Sequence, residues 1–78
     1  MARERVAWAK RAFATFTLET HGGQEPDAMH PDDLSDAMGD LLGDLMHLCG
    51  ALGLDFEERL EAGRGHYEFE SSPNYFGD

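Results

Sequence analysis

The chain has 78 residues, with 16 acidic side chains against 6 basic ones and a formal net charge of −10. That length holds one domain with a thin core, and that charge excludes direct binding to nucleic acid, whose phosphates repel such a surface. A single cysteine rules out an internal disulfide, and no apolar stretch is long enough to cross a bilayer.

The charge is unevenly placed. Arg3, Arg5, Lys10 and Arg11 against Glu4 leave residues 1–11 at about +3, so residues 12–78, with two basic and fifteen acidic side chains, carry −13. Self-repulsion of this size keeps a protein soluble but destabilises its compact form, which raises the question of a cationic partner. Cys49 lies among apolar neighbours (Leu48, Gly50, Ala51, Leu52), the setting of a buried, reduced thiol. With charged residues at the start and no apolar leader segment after them, a cytoplasmic location in the host cell is expected.

Residues 2–20 read as the first helix. Val6, Ala9, Phe13 and Phe16 recur at three- and four-residue steps, with Trp8 and Ala12 widening the stripe, and His21-Gly22-Gly23 stops it. Residues 24–30 carry a proline and no sustained period, which predicts a connecting loop. Pro31 suits the first turn of a second helix, and Asp32 and Asp33 complement its dipole. Leu34, Met38, Leu41, Leu45, Leu48 and Leu52 then follow at 4-3-4-3-4, the spacing of a packed helix seam. Leu42, Met46 and Cys49 broaden that stripe to about half the circumference, and a helix so apolar touches more than one neighbour. Gly39 and Gly43, four apart beside the stripe, either admit a close second backbone or are merely tolerated.

Gly53 ends this helix and Asp55 opens a third, in which Asp55 and Glu58 have the spacing of a capping box. Phe56, Leu60, Gly63 and Tyr67 mark its inward face, and Ser71-Ser72-Pro73 closes it. The tail, with Tyr75 and Phe76, is expected to dock back on the core. The expected fold is all-α: a small three-helix bundle with a short C-terminal tail, one acidic domain over residues 1–78.

Asp33, Asp36, Asp40, Asp44 and His47, spaced 3-4-4-3, form a continuous ridge beside the seam. Like charges four apart cost a few tenths of a kcal/mol per pair, and Asp36-Asp40-Asp44 contains two such pairs. The ridge is either a solvated face or a surface that meets cations. Asp40, Asp44 and His47 share a helix face and are weak candidates for a divalent metal: zinc sites generally take more nitrogen or sulfur ligands, and magnesium needs only one or two carboxylates with a phosphate. No phosphate loop, HExxH or GxSxG is present, and Cys49 and His47, two apart on a helix, do not face each other. No enzyme activity and no cofactor are therefore expected.

Rows of carboxylates suit a Lys/Arg groove that another protein keeps for nucleic acid. The aspartates from Asp33 to Asp44 supply one charge per roughly 5 Å of helix, against one per about 1.7 Å of duplex DNA. Glu57, Glu58 and Glu61 of the third helix raise that density if both rows face the same way.

Residues 40–70, with Asp-Leu-Leu-Gly-Asp-Leu-Met-His-Leu-Cys, then Gly-Leu-Asp-Phe-Glu-Glu-Arg-Leu-Glu and His-Tyr-Glu-Phe-Glu, resemble a group of small uncharacterised bacterial proteins of plasmids, prophages and integrated elements. A fainter similarity is to the second half of MazG-like nucleotide pyrophosphohydrolases, which hold magnesium with ExxE and ExxD helices. Here Asp40 and Asp44 are four apart and residues 3–20 contain no ExxE. In size and acidity the chain also resembles phage anti-CRISPR proteins. Taken with the carboxylate rows, these resemblances lead to the expectation of a phage or mobile-element inhibitor that occupies a basic surface of a host nucleic-acid-handling complex, such as a CRISPR complex; the rows assign its contacts to Asp36, Asp40 and Asp44, with Glu57, Glu58 and Glu61 as a second row. The alternatives are a degenerate Mg-dependent nucleotide hydrolase using Asp40, Asp44 and His47, and a structural homodimer that pairs its Leu/Met arc with its own copy.

Overall fold

A computed structural model describes residues 3–72, and all of its regular structure is helical: α1 (Arg3–Thr20), α2 (Pro31–Leu52) and α3 (Phe56–Glu70), with a single 3-10 turn at Pro26–Ala28. The fold is the expected small all-α three-helix bundle. The tail expected to dock lies outside the described residues.

Each boundary has a local chemical cause. Gly22 and Gly23 take φ of 65° and 78°, a left-handed pair that carries the chain out of α1. His30 caps the start of α2, its Nδ1 accepting from the Asp32 amide at 3.1 Å, and Pro31 fills the first helical position. At the other end Gly53 has φ 72°, and the Leu54 and Gly53 amides donate to the Cys49 and Gly50 carbonyls at 2.8 and 3.3 Å, the Schellman arrangement. Asp55 Oδ1 accepts from the Glu58 amide at 3.1 Å and starts α3, as its spacing predicts.

The core sits where α1 lies across the N-terminal half of α2. Phe13, Met29 and Ala37 are buried together, and Phe16, Leu34 and Leu41 pack against them. Ala37 and Thr17 are each 0 % exposed. The Thr17 hydroxyl donates to the Gln24 carbonyl at 2.8 Å, which pins the following segment back onto α1. That segment is more than a connection: Pro26 is buried and Met29 is one of the three core residues. Its apolar residues escape periodicity because the 3-10 turn is only three residues long. The exposed ion pair Lys10–Asp27 (2.9 Å) ties the same turn to α1. Asp27 therefore belongs to a helical turn.

After Gly53 the chain reverses, and α3 returns along α2 with Leu42, Leu45 and Cys49 facing Phe56, Leu60 and Gly63 across a shallow groove. Arg5 on α1 reaches Glu70 at the end of α3 (3.1 Å) and lies over the Trp8 ring at 5.2 Å.

The seam is only half covered. Leu34 and Leu41 are half-buried beneath α1, but Met38 between them is 46 % exposed, and Leu45, Leu48 and Leu52 are 39 %, 50 % and 62 % exposed. Of the expected inward faces, Val6 and Ala9 on α1 and Tyr67 on α3 are also exposed, and Cys49 is half-buried. A Cβ at Gly39, Gly43 or Gly50 would meet no neighbour within 4 Å, so among the described residues no second backbone uses the space they leave. With a radius of gyration of 14.1 Å and extents of 40 × 32 × 18 Å, the molecule is flatter and wider than the about 11.5 Å radius of a compact chain of this length.

Candidate functional site: the acidic ridge of α2

The residues that bury α2 also orient its ridge. At about 100° per residue, the arc carrying Leu34, Ala37 and Leu41 faces α1, and the arc carrying Leu42, Leu45 and Cys49 faces α3. Asp33, Asp36, Asp40, Asp44 and His47 fall within about 80° of one another, roughly opposite α3 and about 90° from α1. All five are exposed.

One member of the ridge has a partner that helical spacing does not reveal. His21, beyond the end of α1, places Nε2 3.4 Å from Asp40 Oδ2, an ion pair whenever the ring is protonated. The ring is held from behind: Nδ1 lies 2.7 Å from the Thr20 hydroxyl, which itself donates to the Phe16 carbonyl at 2.8 Å, and the Phe16 ring is 6.1 Å away between centroids. The signal for this contact lay in the His-Gly-Gly stop, because the two left-handed glycines turn the chain back towards α2. Asp36 and Asp44 meet no cation among the described residues.

No group of three or more His, Cys, Asp or Glu side chains among the described residues is placed to hold a metal ion. Asp40, Asp44 and His47 share a face of α2 without converging on a common point. His30 is engaged at the start of the helix, within 3.8 Å of Asp32.

The second acidic row does not join the first. On α3 the arc facing α2 carries Phe56, Leu60 and Gly63, and Glu57, Glu58 and Glu61 lie about 140° around the helix from it. Both rows therefore look outwards, on opposite flanks of the α2–α3 hairpin. Glu61 also has a cation of its own, Arg64, at 3.7 Å. The charge offered to any one partner surface is a single row, at about a third of the linear density of duplex DNA.

Set against protein families, curated proteins and solved structures, the chain matches none of them. The functional reading rests on the residues themselves. They present four exposed carboxylates along one helix, with His47 on the same face and His21 against Asp40, a surface that can attract and orient a cationic group.

Proposed function

We propose that this chain is an acidic interaction protein of phage or mobile-element origin that sets the α2 ridge against a Lys/Arg-rich surface of a host nucleic-acid-handling complex, such as a CRISPR effector, and blocks it. The observation that carries this reading is the exposed run Asp36-Asp40-Asp44, in which Asp36 and Asp44 have no intramolecular cation among the described residues. Two like-charge pairs cost the free helix a few tenths of a kcal/mol each. A basic groove on a partner removes that cost and turns it into attraction. The long-range field of a −10 protein steers the encounter, and the ridge sets the orientation.

A single row is too sparse to copy a duplex. It suits the narrower task of covering a few Lys or Arg side chains, and α3's Glu57, Glu58 and Glu61 serve steering rather than contact.

The test is competition. Purified CRISPR effectors are titrated with this protein, and release of a fluorescent guide or target strand is followed at low and high salt. Inhibition should weaken steeply as salt rises, because screening acts within about 8 Å at physiological ionic strength. Asp40→Lys and Asp44→Lys should lose inhibition with helicity unchanged, and Glu19→Lys, on exposed α1 surface, should not. Equal small effects at all three positions would leave net charge as the only agent and end the ridge proposal.

A further inference from the structure

The unfinished seam points to a second copy of this chain. Beyond the reach of α1, Leu45, Leu48 and Leu52 of α2 stand 39 %, 50 % and 62 % exposed in the single chain. We infer that the protein is a two-fold homodimer in which the α2–α3 hairpins of two copies close into a four-helix bundle, with the Leu45, Leu48 and Leu52 strip of each α2 packed against its counterpart.

Two observations favour a second copy over a foreign partner. The strip continues, beyond the edge of α1, the same 4-3-4-3-4 seam that packs under α1 further up α2, and such a seam is complementary to itself, as a two-fold interface requires. Charge agrees as well. The strip carries no charged side chain and lies about 110° around α2 from the ridge, so the carboxylates of both copies point away from the interface. Helical hairpins with one bare apolar face reach a closed core by pairing.

Two copies at −10 repel each other, and salt screens that repulsion. Dimerisation should therefore tighten as salt rises, the opposite of binding through the ridge. The two proposals can fail separately.

Leu48 and Leu52 belong neither to the buried core nor to the groove against α3, so substituting them spares the contacts within one chain. Sedimentation of the full chain at 1–100 µM should give twice 8.7 kDa, and the melting temperature should rise with protein concentration. Leu48→Glu/Leu52→Glu should weaken dimerisation at least a hundredfold, and Val6→Glu, at an exposed apolar position on α1, should leave it unchanged. Should the double variant fail to fold, Leu52→Gln must still raise the dissociation constant. A monomer at 100 µM with concentration-independent melting would overturn the proposal. So would a dimer that survives substitution of the strip, or one that Val6→Glu dissociates.

Discussion

Phe13→Ala tests whether this small molecule is one cooperative unit or two. Phe13 is 7 % exposed and is the largest of the three buried core side chains, beside Met29 and Ala37. Truncating a buried phenylalanine to alanine costs about 3–5 kcal/mol, and a domain of this length has a total stability of only about 4–12 kcal/mol. What otherwise holds α1 is weak. Phe16 is half-buried, and the polar ties from this unit to the hairpin are single ion pairs, Arg5–Glu70 to α3 and His21–Asp40 to α2, of a kind worth about 0–1 kcal/mol when exposed. An 18-residue helix released from its packing is marginal in water.

The expected outcome is that α1 and the turn at Pro26–Ala28 come off while the α2–α3 hairpin, paired in the proposed dimer, stays folded. α1 holds 18 of the 55 α-helical residues, so about one third of the helical circular-dichroism signal should be lost. Fluorescence of Trp8, the sole tryptophan, which lies beneath the Arg5 guanidinium, should shift to that of a solvated ring. Sedimentation should still show a dimer. Complete loss of helix together with the dimer would refute this reasoning, because it would mean that the core at α1 and the seam at α2 fold as one. Unchanged helicity and melting would refute it from the other side.

Other substitutions test single contacts. Thr17→Val keeps the shape but removes the hydroxyl that holds the Gln24 carbonyl, and urea unfolding should show a loss of about 1 kcal/mol with the oligomeric state unaltered. Asp55→Ala removes the side-chain cap of α3 and should cost about 0.5–2 kcal/mol in the same assay without affecting inhibition of a nucleic-acid-handling partner. Leu45→Asp, which the spacing alone would place in a sealed seam, meets a side chain already 39 % exposed in one chain; its effect on melting should therefore grow with protein concentration, as the dimer forms.

The helices were readable because their ends are set by neighbours in sequence. Pro31 and Asp55 start helices, and Gly22-Gly23 and Gly53 end them, through bonds spanning no more than five residues. The 4-3-4-3-4 pattern likewise shows that α2 has an apolar seam. It carries no record of what covers that seam, which depends on where α1 crosses and how far it reaches. For the same reason Met29 and Pro26 were invisible as core residues: they are buried by the path of the chain rather than by a period. The Asp40–His21 pair was hidden by a separation of 19 positions, bridged only because the glycine turn folds back. The aspartates of the ridge share a face as their spacing requires, whereas the relation of that ridge to the glutamates of α3 follows from the pairing of two helices and had to be seen.

Ridge and seam lie on one helix, and this constrains how the two proposals combine. A two-fold dimer through the seam turns both ridges outward, so it doubles the number of acidic rows without raising the charge density of either. A partner with one basic groove gains nothing from the second row. A partner with two grooves, or a complex with repeated basic subunits, is engaged twice, and linked binding of this kind raises overall affinity by roughly 10²–10⁴ without any new contact when the geometry spans both sites. A sparse row that is weak by itself then becomes effective. In the proposed dimer the bare leucines are thus more than a defect of a small core: pairing α2 with its copy would fix the spacing and direction of two Asp36-Asp40-Asp44 ridges on a single body.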